Sequence, residues 1–142
     1  MSPAAITKWL ESYGRAWEAR DPIAFSELFS AEASYYWGPF REPQRGRMEI
    51  ESAVRTAFSG QSDVRFSFRL LSGATEPYVA HWMCKFIRVA SGRLITIDGI
   101  FVLQFDAHGH CEEFREWWHS DELENNSVEA APNKSLERSR ER

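Results

Sequence analysis

The sequence predicts an α+β domain in which three short N-terminal helices pack on one face of a long antiparallel sheet. Three observations carry that prediction. Apolar residues recur at helical spacing as far as Phe58. After Ser59-Gly60 the apolar period changes to two and stays there. Within that second half, Gly92 to His119 reads as two strands joined by a turn. Arg93 to Phe105 is rich in β-branched and aromatic residues, and Asp106-Ala107-His108-Gly109 supplies the turn. Cys111 to His119 then returns.

Each element follows from its own residues. Ser2-Pro3 begins a helix, with Ser2 as cap and Pro3 in the first turn. Ile6, Trp9, Leu10, Tyr13, Ala16 and Trp17 then repeat on one face to about Ala19. Asp21-Pro22 starts a second, short helix carrying Ile23, Phe25, Leu28 and Phe29. Ala33 to Trp37 predicts a short strand, stopped by Gly38-Pro39. Phe40 to Arg45 is expected to be a loop. Gly46 to Phe58 predicts a third helix that buries Met48, Ile50, Val54, Ala57 and Phe58. Val64, Phe66, Phe68 and Leu70 alternate with Arg65, Ser67 and Arg69 as a half-buried strand. Glu76-Pro77 turns the chain, and Tyr78 to Val89 is the next strand. Gly99, inside the following strand, suits a bend or bulge in a sheet that must curve around the helices. From Asp121 to Arg142 large apolar residues almost vanish, which predicts a polar, disordered or weakly helical tail outside a single domain of residues 1–120.

Composition narrows the function. The length of 142 residues fits one domain with a real core. A net charge of −4 argues against a general nucleic-acid binder, which needs a basic face for phosphates. No apolar run is long enough to span a bilayer, and the N-terminus lacks the regions of a signal peptide, so the cytoplasm is the expected location. The only cysteines, Cys84 and Cys111, sit in strand patterns and are expected to be buried free thiols. No metal site is expected, because His108-Gly-His110 is too local and too short of partners.

Alternation sorts the sheet into two faces. The inner face is expected to carry Phe66, Phe68, Trp82, Cys84, Phe86, Phe101, Leu103, Phe105, Phe114, Glu116 and Trp118. An acid held between large rings at Phe114, Glu116 and Trp118 is the most informative feature of the chain. Desolvation should raise its pKa and make it a general acid or base near neutral pH. Tyr13 is the expected second polar contact, with Tyr35 or Tyr36 as lesser candidates. A plain structural role stands beside this for each: Glu116 pairing with an Arg or accepting from Trp or Tyr in a closed core, Tyr13 simply packing from its helix. Trp17, Trp37, Trp82 and Trp118 read as core residues that would together suit a flat apolar ligand. The outer face is apolar in its middle at Met83, Ile100, Val102 and Trp117, which predicts a homodimer through that face. His81 falls on it, and Asp98 is expected to pair with Lys85 or an Arg.

The phrases YGRAWEARDPIAFSELFSAEASYYW, EPQRGRMEIESAV and DGIFVLQFDAHGHCEEFREWW, in that order, resemble the SnoaL-like branch of the nuclear transport factor 2-like superfamily over roughly Ile6 to His119. The resemblance implies a cone-shaped, strongly bent sheet closed by helices around a pocket, often dimeric. Members include ketosteroid isomerases, limonene-epoxide hydrolases, polyketide cyclases, dehydratases and proteins without catalysis, so fold says little about chemistry. Position by position, Tyr13 matches the isomerases' oxyanion-hole tyrosine. Their base and their protonated aspartate would fall at Trp37 and Phe101, where both acids are missing. The hydrolases' Arg-x-Asp pair would fall at Trp82 and Cys84 and is missing too. Their second aspartate matches Glu116 in Phe114-Arg115-Glu116-Trp117-Trp118.

The expectation is therefore a cofactor-independent dehydratase, isomerase, cyclase or hydrolase acting on a hydrophobic small molecule. Glu116 and Tyr13 would be catalytic, and Trp17, Tyr35, Trp37, Trp82, Cys84, Phe101, Phe114 and Trp118 would bind the ligand. The alternative is a non-catalytic ligand-binding or dimerisation protein.

Overall fold

The N-terminal signals act as their side chains suggest. In the computed structural model, which describes residues 1–123, the Ser2 hydroxyl accepts from the Ala5 amide at 3.1 Å and starts α1 (Pro3–Glu18). The Asp21 carboxylate accepts from the Ala24 amide at 3.0 Å and starts α2 (Pro22–Ser26). The chain continues as β1 (Phe29–Tyr36), β2 (Gln44–Arg45), α3 (Gly46–Ser59), β3 (Gln61–Ser72), β4 (Tyr78–Arg88), β5 (Leu94–Phe105) and β6 (Cys111–Leu123). No helix among the described residues is long and apolar enough to cross a membrane.

The strands form one curved, unclosed sheet in the order β2-β1-β6-β5-β4-β3. Helix α1 packs against β3, α3 against β1, and α2 against both helices. The buried residues of α1 (Ile6, Trp9, Leu10, Tyr13, Ala16 and Trp17) meet the concave face. Gly14 lets α1 approach closely, since a Cβ there would stand 2.6 Å from a ring carbon of Phe66.

Four details depart from the sequence reading. The sheet is not wholly antiparallel: β1 runs parallel to β6, with Tyr35 beside Phe114. β1 begins at Phe29, and the expected loop contains β2, whose Gln44 and Arg45 pair with Tyr35 and Ser34. Met48 is 87% exposed, because Ile50, Val54 and Phe58 set the buried stripe of α3 and Met48 stands two residues off it. β6 continues to Leu123 because Leu94, Ile95 and Thr96 offer it partners at Leu123, Glu122 and Asp121. The remainder of the predicted tail, 124–142, lies outside the described residues.

On the outer face, His81, Ile100 and Trp117 form one cross-strand row, and Val79, Val102 and Arg115 the next. Trp117 is 44% exposed, and Met83, Ile100 and Val102 are half-buried. Asp98 pairs with His81, at 3.0 and 3.1 Å, rather than with Lys85 or an Arg.

Candidate functional site

A cavity of about 250 Å³ opens between the three helices and the concave face. Its floor is nearly closed. Tyr13, Phe25, Tyr35, Trp82 and Glu116 line it and are all buried. Its rim is wetter, formed by Trp37, Gln61, Arg88, Trp118 and Ser120. Helix α3 supplies one wall with Val54, Ala57 and Phe58, and the strands another with Phe86, Ile95 and Ile97.

The sheet register explains why these groups meet. Glu116 faces Phe101 across the β5–β6 ladder, and Trp118 faces Gly99, which faces Trp82 on β4. Position 99 therefore lies between two indoles. A Cβ there would stand 2.8 Å from Trp82 Nε1 and 2.9 Å from Trp118 Cβ, so the missing side chain is what lets Trp82 lie over the strand. Rim residues are tied down by hydrogen bonds. Trp118 Nε1 donates to the Trp37 carbonyl at 2.8 Å, and Trp17 Nε1 donates to Gln61 Oε1 at 2.7 Å. Arg88 pairs with Glu122 at 3.2 Å.

The floor holds a short polar chain. The Tyr13 and Tyr35 hydroxyls are 3.1 Å apart. Burial pushes Glu116 well above the usual carboxylate range, against a hydrogen bond from Tyr35 that favours the ionised form. With its hydrogen directed to Glu116, Tyr35 accepts from Tyr13. Burial pushes both phenols up, with the negative charges around them adding to it. They stay protonated and act as donors. Among the described residues, Glu116 Oε2 and Trp82 Nε1 are buried without a hydrogen-bond partner, while the Trp37 side chain lies against the Tyr35 hydroxyl and favours its ionised form.

Seven of the ten expected site residues come together here: Tyr13, Trp17, Tyr35, Trp37, Trp82, Glu116 and Trp118. Three do not. Phe101 and Phe114 lie beneath the floor, their rings 4.5 Å apart, with Trp82 stacked on Phe101 at 4.8 Å. Tyr13 stacks on Phe114 at 5.4 Å. Cys84 is fully buried off the cavity wall, its thiol pushed up to about 12, chiefly by burial. Tyr36 turns to the other face, under the Arg115 guanidinium at 3.9 Å. Tyr13 reaches the acid through Tyr35. The sequence reading missed Gln61 and Arg88, strand-end residues that only curvature brings to the mouth. Ile95 and Ile97 were missed too, although their shared alternation with Phe101 marks them for the inner face. Among the described residues, no cluster of His, Cys, Asp or Glu is placed to hold a metal.

The SnoaL-like domain profile matches residues 10–114. This chain belongs to the SnoaL-like family. Solved structures agree on the fold of this SnoaL-like protein. The epoxide hydrolase/cyclase-like enzyme SalBIII, which has a role in pyran ring formation in polyether salinomycin, is 15% identical at a TM-score of 0.69, over 79% of this chain and 88% of that one. The Δ5-3-ketosteroid isomerase of Mycobacterium sp. is 14% identical at 0.70, over 83% and 94%. A nuclear transport factor 2-like protein of unknown function from Exiguobacterium sp. 255-15 is 22% identical at 0.64, over 76% and 95%. At these identities the likeness shows the fold alone. No curated protein matches the chain in sequence.

Proposed function

We propose that this SnoaL-like protein binds a compact, largely apolar molecule in the cavity and that Glu116 exchanges a proton with it. One observation carries the reading: a desolvated carboxyl lines an apolar hollow. A group in that setting titrates nearer to neutral pH, where general acid–base transfer is efficient. Among the described residues, Glu116 is the only acid lining the cavity, and the tyrosines hold their protons. The group that takes a proton must therefore also return it. Dehydration or isomerisation meets that condition. Hydrolysis assisted by two carboxyls does not. The volume lies under the range of about 300–1,000 Å³ common for drug-sized ligands, which favours a ligand smaller than a steroid. No step in the reading calls for a cofactor.

Naphthalene is a suitable probe. Titration calorimetry should detect its binding to the native protein and a loss of binding in Ala57→Trp, which fills the wall from α3. Mass spectrometry under non-denaturing conditions should identify any small molecule carried through purification, and conversion of that molecule should vanish in Glu116→Gln. No naphthalene binding, or full turnover by Glu116→Gln, would overturn the proposal. Ligand retained and never converted, by either form, would leave the second reading, a carrier. We also propose that the outer face pairs two copies, because its cross-strand rows put Ile100, Val102 and Trp117 at the centre of a patch edged by His81–Asp98 and Glu113–Arg115.

A further inference from the structure

The cavity has a polar mouth as well as an apolar floor. On the concave face the cross-strand rows run from Trp82-Gly99-Trp118 to Cys84-Ile97-Ser120 and then to Phe86-Ile95-Glu122. Arg88 follows at the end of β4 and faces Gln61 at the start of β3. Gln61, Arg88 and Ser120 all line the cavity. None of them is closed off: the Arg88 side chain is 46% exposed, and Gln61 and Ser120 are half-buried. A second hollow shares Phe58 and Gln61 with the cavity and is edged by Arg20 and Arg55. On a chain of net charge −4, three arginines therefore line these adjoining hollows. Among the described residues the one acid lining either is Glu116, whose charge burial disfavours. Arg55 is tied to Glu51 on its own helix, which leaves Arg88, on the cavity itself, as the anchor.

We infer that Arg88 makes the mouth an anion subsite, so that the ligand is an amphiphile with a carboxylate at Arg88 and an apolar body in the cavity. The inference rests on the cavity being a ligand site and specifies what that ligand carries and which way round it lies. Arg88 reaches Glu122 through a single amino nitrogen at 3.2 Å, which uses one of the five donors of its guanidinium. Exposed ion pairs of this kind contribute little, so a ligand carboxylate that accepts in bidentate fashion can share the group. Glu122 does not neutralise the rim, because Arg93 also stands 3.9 Å from it. Gln61 adds donors. Its Oε1 is the atom facing Trp17 Nε1, since an indole N–H only donates, and that leaves both Nε2 hydrogens for another acceptor. The floor rejects the same charge: a carboxylate there would lose its hydration among Tyr13, Phe25 and Trp82, beside a second carboxyl. At the mouth it keeps water on one side. Ser120 is four residues from Glu116 on the same face of β6, about 13 Å along the strand. The end of the ligand opposite its carboxylate is therefore the end that meets the acid.

The test compares 2-naphthoate with 2-acetylnaphthalene, close in shape and differing in charge, by titration calorimetry near neutral pH. The native protein should bind the carboxylate about tenfold more tightly than the ketone at low salt. The ratio of the two affinities is the readout, so a general loosening of the cavity cancels from it. In Arg88→Met, which keeps an aliphatic stem and removes the guanidinium, the ratio should fall to one or below. Arg88→Lys, which keeps the charge and loses the fork, should restore part of it. A second measurement needs no variant. Raising the ionic strength should weaken 2-naphthoate binding to the native protein and leave 2-acetylnaphthalene unaffected. A native ratio near one, or a ratio unchanged in Arg88→Met, would overturn the subsite while leaving the cavity a ligand site. Failure of both compounds and of naphthalene to bind would overturn the ligand site itself.

Discussion

Trp82 lies across Gly99, its indole nitrogen 2.8 Å from where a Cβ at position 99 would stand. The same Cβ would come within 2.5 Å of the Trp117 backbone oxygen, which is held in the β5–β6 ladder and cannot swing aside. Gly99→Ala should therefore cost about 1–3 kcal/mol, the usual range for overpacking. It should also displace Trp82 from the floor and weaken naphthalene binding. Urea unfolding and calorimetry measure the two effects, and wild-type values for both would remove the steric argument.

The buried acid gives the fold a distinctive pH dependence. Glu116 holds its proton more tightly folded than unfolded, where its pKa is about 4.5. Its contribution to stability is fully present below that value and is lost as pH rises through the raised folded value. Unfolding free energy attributable to this residue should thus fall with rising pH above 4.5. Glu116→Gln, which cannot titrate, should flatten that component. Urea titrations of both proteins across the window would show it as a difference in slope, and parallel curves would mean that Glu116 is solvated.

Much of this arrangement is legible in the sequence, for identifiable reasons. Period-two alternation placed Trp82, Glu116 and Trp118 on one face, and helical spacing placed Tyr13 and Trp17 opposite them. Alternation gives a face, however, and no depth. Phe101 and Phe114 share the face of Glu116 yet sink beneath the floor, because Tyr13 from α1 covers them. Cys84 is lost from the wall for the same lack of a depth coordinate. Trp37 was placed at the end of a short strand, but its tie to Trp118 spans 81 residues and depends on β1 pairing parallel with β6. The partner of Asp98 was misplaced because His81 reaches it diagonally, across a register set by the β4–β5 ladder.

The two tyrosines at the base of the cavity should be separable by mutation. Tyr35→Phe removes the donor that favours ionised Glu116 and also leaves the Tyr13 hydroxyl buried without an acceptor. It should push the Glu116 pKa further up and cost about 1–3 kcal/mol for the orphaned group. Tyr13→Phe keeps the Tyr35–Glu116 contact and should cost only about 0.5–1.5 kcal/mol, with a smaller effect on the acid. Carboxyl 13C chemical shifts followed against pH, together with urea unfolding, measure both quantities. Equal effects from the two substitutions would mean that Tyr13 acts on Glu116 directly.

The outer face gives a separate test of assembly. Ile100 sits at the middle of the row between His81 and Trp117 and contributes nothing to the cavity. Sedimentation velocity at micromolar concentration should report a dimer for the native protein and a monomer for Ile100→Glu, because an unpaired carboxylate at the centre of an apolar contact is strongly unfavourable. The monomer should keep its far-ultraviolet circular dichroism, and its affinity for naphthalene should be unchanged, since the opposite face of the sheet holds the cavity. A native protein that sediments as a monomer would remove the pairing and leave Trp117 as an isolated exposed ring.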